Sequence, residues 1–95
     1  MSQKEVIAAI ISERAAQDEQ WGPQHHPDGL EELGPLGPPM EASARRSLYY
    51  RTNWAGILLE EVGEALQAKT PEELRNELVQ VAAVVVNWLE DLEKR

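Results

Sequence analysis

Two glutamates stand where a helix would place apolar residues. At 100° per residue, Ile57, Glu61, Glu64 and Ala68 fall on one row, at i, i+4, i+7 and i+11. Trp54, Leu58, Val62 and Ala65 carry the apolar arc beside that row. An ionised carboxylate buried without a partner costs an amount comparable with the stability of a small domain, so a cation must meet this pair. The next helix supplies Glu77 and Gln80, three apart and so adjacent on its surface, next to the row Leu74, Leu78 and Val81. A hairpin through the Ala68–Pro71 turn would face Glu61 and Glu64 onto Glu77 and Gln80. Three carboxylates and one amide oxygen are hard ligands that suit Mg2+ or Mn2+ rather than zinc. The competing reading is an arginine partner, for which Arg14, Arg45, Arg46, Arg51 and Arg75 are all available. Gly63, between the acids, costs about 1 kcal/mol relative to Ala in a helix interior, and close approach of another helix or of a ligand would account for it.

The elements that position these groups are helical. Ser2 with Glu5 forms a capping-box pattern, and Ile7, Ile10, Arg14, Gln17 and Trp21 follow along one face. A first helix is expected from about residue 3 to about residue 20, with polar groups in the second half of its stripe. Residues 22–39 hold five of the six prolines and four of the six glycines, a density that predicts a loop over roughly 22–40. A loop this long in so small a domain is functional or disordered; this one carries His25, His26 and Asp28. Helix is expected again from about Glu41 to Arg51, with Leu48 and Tyr49 as contacts. Thr52 or Asn53 would cap a helix running through Trp54 to about Lys69. Thr70, Pro71 and Glu73 combine a cap, a proline at the first helical position and a capping-box acid. From there Leu74, Leu78, Val81, Val85, Trp88 and Leu92 repeat at alternating spacings of 4 and 3, the seam of a long helix packed nearly antiparallel. Val79, Ala82, Val86 and Leu89 widen that seam beyond a two-helix stripe. No strand-like alternation and no repeat occur. The expected fold is an all-α helical bundle containing an antiparallel helix hairpin, one domain over residues 1–95, completed by oligomerisation.

Composition narrows the function. The chain has 95 residues and no cysteine, so disulfides and thiolate metal sites are excluded. A net charge of −8 disfavours the backbone of a long nucleic acid, which needs clustered Lys and Arg, but not a small phosphorylated substrate that arrives with divalent cations. No apolar run reaches membrane-spanning length and no secretory pattern opens the chain, so a cytoplasmic location without membrane attachment is expected.

The string Glu60-Glu61-Val62-Gly63-Glu64, followed after twelve residues by Glu77-Leu78-Val79-Gln80, resembles the EExxE…ExxD signature of the MazG-like pyrophosphohydrolases. These belong to the all-α nucleoside triphosphate pyrophosphatase superfamily, which also includes dimeric dUTPases. Trp54–Leu92 is similar to the compact members of the family. So are the opening pairs Glu13-Arg14, Gln17-Asp18 and Trp21-Gly22 and the His-Pro-Asp-Gly stretch of residues 26–29; only about 30–45 is not covered. The resemblance implies a magnesium-dependent enzyme that hydrolyses nucleoside triphosphates, NTP or dNTP, to monophosphate and pyrophosphate. It also implies a homodimer or homotetramer. Carried over residue by residue, Glu61, Glu64, Glu77 and Gln80 would hold the metal, and Glu60 would lie in the outer shell, orienting the attacking water. Gln80 departs from the pattern, which has Asp there. It retains a neutral oxygen and loses a charge, weakening metal affinity.

In that chemistry the metal would neutralise phosphate charge and lower the pKa of a bound water. Glu60 is the first candidate for orienting that water, with Glu61 and Glu64 as alternatives. Arg14 or Arg51 would pair with phosphate oxygens, unless each is an ordinary ion pair. Trp21, Trp54 or Tyr50 would stack on a base, although aromatics at helical spacing more often pack in a core. His26, with His25, would reach substrate from the loop, and Gln17 beside Arg14 completes the substrate-contact set. Two other readings stand. A helical oligomerisation or binding module would keep the fold with little activity, favoured by Gln80 and the small size. An acidic regulator would explain the charge but not carboxylates inside an apolar face.

Overall fold

In a computed structural model, residues 2–46 and 53–95 are described, and these are all-α, with no strand among them. The helices are α1 (Gln3–Trp21), α2 (Leu30–Leu33), a 3-10 turn (Gly34–Leu36), α3 (Gly37–Arg46), α4 (Trp54–Leu66) and α5 (Pro71–Glu93). The chain divides into two compact units, Met1–Asp28 with Val86–Arg95, and Gly29–Val85. No helix among the described residues is long and apolar enough to cross a membrane.

The helix starts follow from their caps. Ser2 Oγ accepts from the Glu5 N–H at 3.2 Å while the Glu5 carboxylate takes the Ser2 N–H, also at 3.2 Å, so two otherwise unpaired donors are satisfied reciprocally. These bonds hold the exposed Glu5 carboxyl below its usual pKa, the Ser2 backbone bond being the larger cause. Asn53 caps α4 through a bond from the Gly56 N–H. Thr70 Oγ1 accepts from the Glu73 N–H at 3.1 Å at the start of α5. The Glu73 carboxylate reaches one residue further back than a capping box requires and takes the Lys69 N–H at 2.8 Å.

The largest departure from the expected elements lies in the proline- and glycine-rich segment. From Leu30 onward it is helical, and α3 begins at Gly37 rather than Glu41. Breaker counting fails here because position matters more than density. Pro35 opens the 3-10 turn, and Pro38 and Pro39 lie in the first turn of α3, where a missing N–H breaks no intrahelical bond. The glycines have a packing role. A Cβ on Gly37 would lie 2.6 Å from the Gly63 carbonyl oxygen, and one on Gly34 would lie 2.9 Å from that of Leu66. Cβ-free positions thus let this segment lie backbone to backbone on α4. The expected contacts Leu48 and Tyr49, and Thr52, lie outside the described residues.

Packing is thin. Val6, Ala44 and Ala65 are the buried apolar side chains among the described residues, and no large side chain is fully buried. In α5, Leu74, Val81 and Val85 are half-buried, whereas Leu78 and Val79 are 51% and 63% exposed. The seam expected along this helix is only partly covered by its own chain.

Candidate functional site

α4 and α5 are joined by residues 67–70, and this short connection turns Glu61 and Glu64 of α4 toward Glu77 of α5. One carboxylate oxygen from each of the three lies within 4.8 Å of the other two. All three residues are half-buried. Glu61 Oε2 and Glu77 Oε2 are cut off from solvent and have no hydrogen-bond partner among the described residues. Such acceptors are rare in folded proteins and mark a missing donor, water or ion.

The electrostatics agree with the geometry. Burial pushes the Glu61 carboxyl above its usual pKa, and the charges of Glu77, Glu60 and Glu41 raise it further. Glu64 is raised first by burial, then by Glu61, Glu77, Glu41 and Glu60. No Lys or Arg among the described residues forms an ion pair with these three acids. Arg14 pairs with Asp18 at 2.8 Å, Arg45 with Glu41 at 3.0 Å and Glu60 at 3.4 Å, and Arg46 donates to Ser43 Oγ. Arg51 lies outside the described residues. Three convergent carboxylates with no cation beside them among the described residues, two of them with shielded and unpartnered oxygens, fit a hard divalent ion such as Mg2+ or Mn2+ in donor chemistry. They hold neither sulfur nor imidazole. Gln80, the fourth ligand expected from the sequence, lies one turn beyond Glu77 and is exposed.

The support around this cluster is set by contacts between helices and is not written in any local spacing. Gly63 sits between the acids because α3 crosses there: a Cβ would be 2.9 Å from the Gly37 carbonyl oxygen and 3.0 Å from Glu41 Cγ. Gln67 ties the crossing together, donating to the Gly63 carbonyl at 3.0 Å and to the Glu41 carboxylate. Arg45 then bridges Glu41 to Glu60. The i,i+4 spacing of Glu41 and Arg45 was readable as a helical ion pair. Its link to Glu60, fifteen residues away, was not. Glu60 therefore faces a guanidinium, while its neighbour Glu61 faces carboxylates.

Four of the six expected substrate contacts share one cavity in the other unit. Arg14, Gln17, Trp21 and His26, together with Glu13 and Asp18, line a space of about 620 Å³ at the end of α1. Arg14 there donates to Gln17 Oε1 at 3.1 Å and to Asp18, and Gln17 donates to Glu13 at 3.3 Å. His26 Nε2 lies 3.2 Å from Gln24 Oε1. Trp54 is half-buried at the start of α4, and Tyr50, like Arg51, is outside the described residues. Comparison with known protein families, curated proteins and solved structures found no match.

Proposed function

We propose that this protein is a magnesium-dependent nucleoside triphosphate pyrophosphohydrolase, with Mn2+ as an alternative ion. The observation that carries the reading is the convergence of Glu61, Glu64 and Glu77, with Glu61 Oε2 and Glu77 Oε2 shielded and unpartnered. These residues would hold the ion, and Gln80 would add a neutral oxygen. When bound, the ion supplies charge neutralisation at the phosphates and a water of lowered pKa. The chain's part is to fix that water and the substrate. Glu60 would orient the attacking water, and Arg45, 3.4 Å from Glu60 Oε2, would hold that carboxylate in place. Arg14, Gln17, Trp21, His26, Arg51 and Trp54 are the candidate substrate contacts. The resemblance of the acidic string to the MazG-like signature supplies the reaction class: cleavage of the α–β phosphoanhydride to monophosphate and pyrophosphate.

The working species is a homodimer or homotetramer in the cytoplasm. Exposed Leu78 and Val79 on the helix that carries Glu77 support the assembly part of this proposal, since a second copy would cover them. That same face is also what the alternative reading, a helical assembly module with little activity, would need. Pyrophosphate release from a panel of NTPs and dNTPs, with and without magnesium, in wild type and Glu61→Gln, separates the two. Turnover that requires metal and is lost in a folded Glu61→Gln variant is the expected result. A panel without turnover, in a protein whose magnesium binding is unaffected by Glu61→Gln, overturns it.

A further inference from the structure

The cavity at the end of α1 has a composition that selects its ligand. Among the described residues that line it the one permanent cation, Arg14, is already engaged by Asp18 at 2.8 Å and by Gln17 at 3.1 Å. Against it stand two carboxylates, Glu13 and Asp18, so the walls carry a net negative charge with His26 neutral. A phosphate group would meet repulsion here. Acceptors remain in excess: Asp18 Oδ1 takes the Arg14 bond and Glu13 Oε1 takes the Gln17 bond, which leaves the second oxygen of each carboxylate for a ligand. Trp21 lines the same space and is 64% exposed, an unusual state for the largest apolar ring and one that presents a stacking surface. A space of about 620 Å³ is in the range of small-ligand sites.

We propose that this cavity binds a heteroaromatic base bearing an exocyclic amino group, stacked on Trp21 with the amino group donating to Glu13 or Asp18. Adenine, cytosine and guanine satisfy that description; uracil and thymine offer on that edge only the ring N3–H, flanked on both sides by carbonyls that a carboxylate repels. This rests on the reading that the substrate is a nucleotide and assigns the preference within that class. A hydrogen bond from a neutral donor to a charged acceptor supports a discrimination of about 10-fold or more.

The test uses the full chain, no metal, and nucleosides without phosphates: cytidine against uridine, which differ only at ring positions 3 and 4. Binding is followed through the indole N–H resonance of Trp21, identified by its loss in Trp21→Phe. Cytidine is expected to bind at least about 10-fold more tightly than uridine. Glu13→Gln and Asp18→Asn together are expected to remove the difference while circular dichroism shows the helices intact. Equal or tighter uridine binding, no response to either nucleoside, or a cytidine preference that survives the double substitution would each overturn the proposal. Because the titration needs neither metal nor turnover, its failure is distinguishable from failure of the hydrolase reading.

Discussion

Removing one carboxylate from the cluster should stabilise the metal-free protein and abolish its response to magnesium. In Glu61→Gln the side chain keeps its size and loses a charge that sits within 4.8 Å of both Glu64 and Glu77. Two unit charges at 4.8 Å repel by about 3 kcal/mol at an effective dielectric near 20 and by about 1 kcal/mol in water. The three groups are half-buried, so a total relief of about 1–3 kcal/mol is appropriate. In a domain of this size each kcal/mol moves the melting temperature by about 4–8 °C, which predicts a rise of roughly 4–24 °C for the variant in chelator. Magnesium should then invert the order. An ion present at about 100 times its Kd adds about 2.7 kcal/mol to the protein that binds it, and wild type would gain this while the variant gains little. Thermal unfolding by circular dichroism, in chelator and in magnesium at matched ionic strength, measures both arms; matching matters because salt alone screens the repulsion. A variant that melts at or below wild type in chelator would refute the reasoning, because the acids would then be stabilised by something other than a missing ion.

The pH dependence should carry the same sign. Glu61 and Glu64 have folded-state pKa values above the reference of 4.5, so the folded protein binds more protons than the unfolded chain as pH rises through that interval. Their contribution in the metal-free protein therefore worsens from about 4.5 upward and is fully adverse above the folded values, whereas Glu5, with a lowered value, contributes stability that is lost on acidification. A pH series of melting curves should place the metal-free maximum on the mildly acidic side and move it toward neutrality with magnesium, which competes with protons for the same oxygens. Gly63→Ala should destabilise by about 1–3 kcal/mol in urea unfolding despite the better helix propensity of alanine, because the new Cβ would lie 2.9 Å from the Gly37 carbonyl oxygen, which is backbone and cannot swing away. Substituting Leu78 and Val79 together by Glu and Lys should leave helicity intact and shift sedimentation from a dimer or tetramer to the monomer; a monomeric wild type would refute that assignment.

Much of this was legible along the chain because helices write their requirements locally. Ser2 with Glu5, Asn53, and Thr70 with Pro71 announce helix starts through contacts spanning three or four residues, and each formed where expected. The acids were legible for the same reason: a period of 3.6 residues makes a carboxylate inside an apolar row conspicuous. The segment after residue 29 was misread because composition was weighed without position. Prolines that end a helix from its interior begin one from its first turn, and Pro38 and Pro39 are of the second kind.

The one-dimensional order of residues determined the all-α class, the helix that carries Glu61 and Glu64, and the expectation that those charges need a cation. Tertiary structure decided which groups answer one another. It directed Arg45 to Glu41 and Glu60 and brought Glu61, Glu64 and Glu77 together with no basic partner among the described residues, a choice that no spacing within one helix encodes. It turned the glycines of a supposed loop into the surface on which α3 meets α4, setting Gly37 against Gly63. The physical reason is range. Caps and periodicity act over a single turn of backbone, whereas the pairing of charges and the approach of two backbones depend on where separate helices come to rest against each other.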